Sequence, residues 1–171
     1  MARVILLCLS IWWMITIFDF SAATARESSS LSDGITKKIV EIIEPDFSNL
    51  SEKQQEELFD RVSFFVRKTG HFGEYAILGL FIGGFLLTFE MIYQNIKNIL
   101  ISEGFGVLYA ITDEFHQGFV DGRSPQVRDV VIDSTGFLLA LLFIIFLITS
   151  HQRMRKNNFE AAVQNKSVIT R

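Results

Sequence analysis

Cysteine, proline and positive charge are all scarce in this chain. Cys8 is the only cysteine among 171 residues, so no disulfide can form within the chain and a disulfide scaffold is excluded. Two prolines exclude a collagen-like or proline-rich segment. Lysine and arginine number 16 against 19 aspartates and glutamates, and no long basic run occurs, so no nucleic-acid partner is expected. Charged residues are only 20% and hydrophobic ones 49%, which excludes a disordered chain. What is abundant is apolar: 17 phenylalanines, and long runs with almost no charge.

The apolar residues fall in four blocks, at about 4–20, 72–93, 99–119 and 130–150. A membrane-spanning helix needs about 20 mainly apolar residues. The first block ends at Asp19 and the fourth contains only Asp133 as a charge, while the second carries Glu74 and Glu90 near its two ends. The third is the weakest, with Glu103, Asp113, Glu114 and His116, and spans only if its polar side faces protein. The first block also has the look of a signal peptide before Ala23-Thr24-Ala25, but Trp12 and Trp13 suit a retained interfacial helix. The length amounts to one domain. The expectation is an all-α integral membrane bundle of four transmembrane helices within 1–150, followed by a polar, basic tail at 151–171 that is disordered or frayed.

Residues 26–67 are too polar to span and form an amphipathic extramembrane segment. Ile35, Ile39, Ile42 and Ile43 recur at helical spacing until Pro45 breaks the pattern. Ser51 with Gln54 reads as a capping box opening a new helix. Its apolar face, Phe59, Val62 and Val66, predicts a helix lying at the membrane surface or packed on other protein. Residues 95–98 read as a short loop and 119–126 (FVDGRSPQ) as a turn. Arg153, Arg155 and Lys156 beside the last block favour cytoplasmic termini.

Polar residues gather at the start of the second span (Lys68, His71, Glu74, Tyr75), the end of the third (Asp113, Glu114, His116, Gln117) and the start of the fourth (Arg128, Asp129, Asp133). Alternate spans run in opposite directions, so all three groups lie at one membrane face, where the joining loop adds Arg123. Spacings of three and four place them on shared helix faces. Gly70, Gly73, Gly79, Gly83, Gly84 and Gly136 allow helices to approach closely. Three chemistries fit such a cluster. A metal site would draw on His71, Glu74, Asp113, Glu114, His116 and Asp129, although no H-E-x-x-H motif is present. An acid–base enzyme would use Asp113 or Glu114 with His71 or His116. A binding pocket would hold an anion on Lys68, Arg123 and Arg128. The bland alternative is a self-satisfied helix lock. Gly104-Phe105-Gly106 lacks the rest of a phosphate loop and reads as close packing, and no cofactor is expected.

These segments, KTGHFGEY (68–75), YAITDEFHQ (109–117), FVDGR (119–123) and DVVIDSTG (129–136), resemble the VanZ-like family of small bacterial membrane proteins. The resemblance covers roughly residues 4–150. It implies an all-helical bacterial cell-membrane protein associated with teicoplanin-type glycopeptide resistance. It carries over Lys68, His71, Tyr75, Glu114, Gln117, Arg123 and Asp129, with Asp133 where an amide or acid is expected; Glu103 departs from the pattern. The combined expectation is a pocket near the extracytoplasmic face. There Glu114 and Asp129 organise the site, and Arg123 and Lys68 meet an anion. The partners expected are the lipid bilayer and a lipid headgroup, lipid-linked precursor or glycopeptide-type ligand. Other readings kept open are a metal-assisted or acid–base membrane enzyme and a structural partner protein.

Overall fold

The computed structural model describes residues 1–89 and 96–169. Five α-helices follow in order: α1 (Ala2–Ala22), α2 (Ala25–Ile43), α3 (Glu52–Leu87), α4 (Ile96–Gln117) and α5 (Val127–Ile169), with a 3-10 turn at Phe47–Asn49. Three are long and apolar enough to cross a membrane: Ala2–Ala22, Glu52–Leu87 and Val127–Glu160. The sequence expectation of four therefore holds for three helices on length and composition, and α4 is not among them. The last residues of the expected second span, 90–93, lie outside the described residues, as does Glu90.

Local signals explain the helix ends. Thr24 opens α2 with a capping box: its backbone N–H and hydroxyl both donate to Glu27 Oε2, at 2.9 and 2.8 Å. The same arrangement opens α3, where the Ser51 N–H and hydroxyl donate to Gln54 Oε1. α2 stops at Ile43, just ahead of Pro45, because a residue preceding proline is pushed out of the helical region. The turn between α4 and α5 bends at Gly122, whose φ of 77° favours glycine.

Three expectations are corrected here. The amphipathic helix at 52–67 is not a separate surface element; it runs without a break into the apolar stretch as one 36-residue helix. At 1.5 Å per residue α3 is about 54 Å long, well beyond a hydrocarbon core of about 30 Å. Nothing in residues 66–73 breaks a helix, since Gly70 and Gly73 lower propensity without stopping it. Likewise α5 continues through Ser150 to Ile169, so the tail is helical rather than frayed, and residues 151–160 are exposed along their whole length. Residues 96–98 of the expected loop at 95–98 are helical, since α4 begins at Ile96, and residue 95 lies outside the described residues.

α1, α3, α4 and α5 share a core of Ile17, Tyr75, Leu78, Ala110, Phe137 and Leu141. Trp13 Nε1 donates to the Glu74 carbonyl at 2.7 Å and the Tyr109 hydroxyl to the Met14 carbonyl at 2.6 Å, tying α1 to α3 and α4. Glycines set the closest approaches. A Cβ on Gly79 would fall 2.6 Å from the Phe137 carbonyl oxygen, one on Gly106 2.7 Å from the Phe137 ring, and one on Gly136 would strike the Phe72 carbonyl. Gly70, Gly73 and Gly104, expected at close contacts, face open space instead.

α2 packs along the first half of α3, burying Thr36 and Val40 on one helix and Val62 and Ser63 on the other. The Ile stripe is mostly left out: Ile35, Ile42 and Ile43 are exposed. α4 inverts the pattern of a soluble helix. Its buried side is Ser102, Gly106, Ala110, Asp113, Glu114 and Gln117, while Ile101, Phe105, Leu108, Ile111 and Phe115 form an exposed apolar stripe.

Candidate functional site

The polar stretch in the middle of α3 meets the end of α4 and the start of α5. Lys68 on α3 grips Asp129 on α5 with both carboxylate oxygens, at 2.5 and 2.6 Å, in a site where both side chains are largely buried. Glu114 on α4 accepts the Gln126 backbone N–H at 2.7 Å, fastening the turn that leads into α5. Gln117 donates to Asp113 Oδ2 one helical turn away, at 3.3 Å. The Lys68–Asp129 and Glu114–Gln126 contacts make Lys68, Asp129 and Glu114 a brace that sets α3, α4 and α5 against one another, while the Gln117–Asp113 bond stays within α4.

The remaining predicted residues are less satisfied. Asp133 is fully buried and neither carboxylate oxygen has a hydrogen-bond partner among the described residues. His71 Nδ1 stands 3.9 Å from Asp133 Oδ1, too far for a hydrogen bond. The Tyr75 hydroxyl, Asp113 Oδ1, Glu114 Oε1 and His116 Nε2 are likewise buried without partners among the described residues. His116 turns away from the others and stacks on Phe18, with ring centroids 4.1 Å apart. Among the described residues no three His, Cys, Asp or Glu side chains are grouped so as to hold a metal ion. The six ligands considered for one are split between the brace, the Phe18 stack and a cavity wall.

Two cavities flank this cluster. The first, about 350 Å³, has an apolar side of Ile17, Phe20, Ala23, Ile35 and Val66, and a polar side of Arg67, His71, Glu74, Asp113 and Arg123. The second, about 250 Å³, is lined by Lys68, Gln117, Arg128 and Asp129 together with the 122–126 turn. Ser28, Arg67, His71 and Arg123 border both. The guanidinium groups of Arg123 and Arg67 make no hydrogen bond or ion pair with any described residue; the Arg123 backbone N–H donates to the Val120 carbonyl at 3.1 Å. Burial lowers the Arg123 pKa, and the nearby carboxylates of Asp113, Glu114 and Glu74 act in the opposite direction, so the guanidinium stays charged. Arg128 is engaged at the rim, donating to Gln126 Oε1 at 2.9 Å and lying 4.9 Å from the Phe64 ring centre.

Three contributors were missed by sequence reasoning. Arg67 ends the polar 26–67 stretch expected outside the membrane, and only the unbroken run of α3 carries it to the cavities. Ser28 and Ser32 sit in a serine-rich stretch that has no site-like spacing, and they arrive because α2 folds back along α3. A family model described as VanZ/LLP1 matches residues 6–149.

The chain belongs to the VanZ/LLP1 family. No curated protein and no solved structure matches it. The match takes in α1 through most of the apolar part of α5, and therefore every residue of the brace and of both cavity walls. With its three apolar helices, this VanZ/LLP1 chain is a membrane protein of VanZ type. Antibiotic resistance is the association of the VanZ/LLP1 family, not a reaction that names a substrate.

Proposed function

We propose that this protein is a four-span protein of the bacterial cell membrane. In this reading it binds an amphiphilic envelope molecule at its polar end and thereby alters tolerance of glycopeptide and lipopeptide antibiotics. The observation that carries the reading is the first cavity. Five apolar side chains from α1, α2 and α3 face charged groups from α3, α4 and the 118–126 turn across one space. A small number of polar groups on a mainly apolar wall is the usual make-up of a ligand pocket, and about 350 Å³ lies within the usual size range.

A helix lock is the less favoured reading because a lock satisfies its own polar groups. Here only part of the cluster does so. The brace of Lys68, Asp129 and Glu114 performs the locking, while Arg67, Arg123, His71 and Asp113 keep unused hydrogen-bonding capacity beside the cavities. The role given to Lys68 at the sequence level moves accordingly: with its ammonium held by Asp129, the cations available to a ligand are arginines.

The fourth span in this reading is α4. Its exposed apolar stripe suits lipid and its acids are turned inward, which supports insertion despite a modest hydropathy. The termini are cytoplasmic, and the brace and cavities face outward.

The test is glycopeptide and lipopeptide susceptibility in a host lacking its own copy, with membrane protein level quantified. Wild type is expected to protect, and the double variant Arg67→Gln/Arg123→Gln to lose protection at equal protein level. Equal protection by both would sink the pocket reading.

A further inference from the structure

The two cavities differ in charge, and they share a wall. In the first, Arg67 and Arg123 are matched by Glu74 and Asp113, leaving the polar side close to neutral and the rest apolar. In the second, Arg67, Lys68, Arg123 and Arg128 face Asp129 alone, and Asp129 is already held by Lys68. Three guanidinium groups thus border a space of about 250 Å³ whose own lining has no carboxylate but Asp129; Arg67 and Arg123 meet Glu74 and Asp113 only on the side of the first cavity. His71 and the hydroxyls of Ser28 and Ser124 line the same space. Guanidinium forks match the oxygens of a phosphate, and hydroxyls can donate to the same oxygens.

We infer that the pair of cavities is a head-and-tail site for a phosphate-bearing amphiphile. The phosphate lies in the basic cavity between Arg67, Arg123 and Arg128, and the hydrocarbon chain passes the shared wall into the apolar cavity against Ile17, Phe20 and Val66. This inference deepens the proposed amphiphile reading and rests on it; what it adds is the charge and chemistry of the headgroup. The opposite arrangement is disfavoured by electrostatics. An anion in the first cavity would meet Glu74 and Asp113, and a cationic headgroup in the second would meet three arginines.

The test uses the purified full chain in dodecyl maltoside, with binding followed by native mass spectrometry. The probes are dodecyl phosphate, dodecanol, dodecyltrimethylammonium and inorganic phosphate. Dodecyl phosphate is expected to bind best. In the series octyl, decyl and dodecyl phosphate, each added methylene should tighten binding about fourfold until the cavity is filled, the equivalent of about 0.8 kcal/mol. Arg67→Gln and Arg123→Gln should each weaken dodecyl phosphate at least about tenfold, in keeping with loss of a hydrogen bond to a charged group. Arg61→Gln, an exposed change on α3 outside both cavities, should not alter it. Because Arg123 is half-buried, Arg123→Lys serves as its folding control and is expected to retain part of the binding.

Dodecanol binding as tightly as dodecyl phosphate, with both arginine variants unaffected, would overturn the phosphate assignment and leave the amphiphile reading standing. Tighter binding of dodecyltrimethylammonium would do the same by giving the headgroup to Glu74 and Asp113. Inorganic phosphate binding as tightly as dodecyl phosphate would remove the tail subsite and, with it, the amphiphile reading. Absence of binding by every dodecyl probe would overturn both.

Discussion

At the scale of single residues, the acids and bases of the cluster divide into those that hold the structure and those left available. Lys68 and Asp129 belong to the first group. Removing one partner leaves the other charge buried without compensation, which costs about 3 kcal/mol or more, whereas removing both is far milder. Asp129→Asn is therefore expected to lower the thermal unfolding midpoint in detergent sharply. Lys68→Met/Asp129→Leu should recover most of that loss. If the single variant is as stable as wild type, the pair is no brace. Gly136 is a second structural residue. An alanine there would drive its methyl into the Phe72 carbonyl of α3, so Gly136→Ala should destabilise by about 1–3 kcal/mol, while Gly73→Ala, facing open space, should be neutral or slightly stabilising. Measuring both variants by the same unfolding assay checks the α3–α5 contact. The sequence had put Gly73 and Gly136 in one class, because spacing alone does not say which side of a glycine another backbone approaches.

At the scale of elements, α2 and α3 were the least legible. The capping box at Ser51 and the stop before Pro45 were readable because both depend on neighbours within four residues. The continuity of α3 was not, because a change of surroundings from water to membrane changes composition along a helix without changing its backbone. α2 offers a check on pH. The hydrogen bonds from Thr24 lower the Glu27 pKa below its ordinary value of 4.5. A depressed folded value means that the stabilisation is present above the unfolded value and is lost as pH falls through the folded one. Amide protection factors in the first turn of α2, relative to intrinsic exchange at the same pH, should accordingly fall on acidification below about pH 4.5, and Glu27→Gln should flatten that dependence. Unchanged protection factors in the wild type would show that the box does not hold the helix start.

At the scale of the whole molecule, the question is how many helices cross and which way they run. With Cys8 replaced by serine, single cysteines at Ser48, Lys97, Ser124 and Asn158 report on each connection. The proposed arrangement expects labelling by a membrane-impermeant maleimide from outside at Ser48→Cys and Ser124→Cys, and protection at Lys97→Cys and Asn158→Cys. Labelling of Lys97→Cys together with Ser124→Cys would place both ends of α4 on one side and reduce the bundle to three spans. The reverse pattern at all four positions would turn the cavities to the cytoplasm.

The sequence by itself determined the all-helical class, the capped start at Ser51, the stop before Pro45, the turn at 119–126 and the gathering of polar residues at one end of the bundle, but not where α3 and α5 run on. Periodicity, helix breakers and span length are local properties, and the alternation of direction follows from short connections. It also singled out Lys68, His71, Glu114, Arg123 and Asp129 by their positions in the chain. Only the tertiary structure decided how those residues divide their work, because that depends on the rotation of each helix about its axis and on which neighbour it meets. The Lys68–Asp129 contact removes one cation from the proposed anion site. The unbroken α3 supplies another in Arg67, and α2, folded back along α3, closes the apolar wall with Ile35 and brings Ser28 to the shared one.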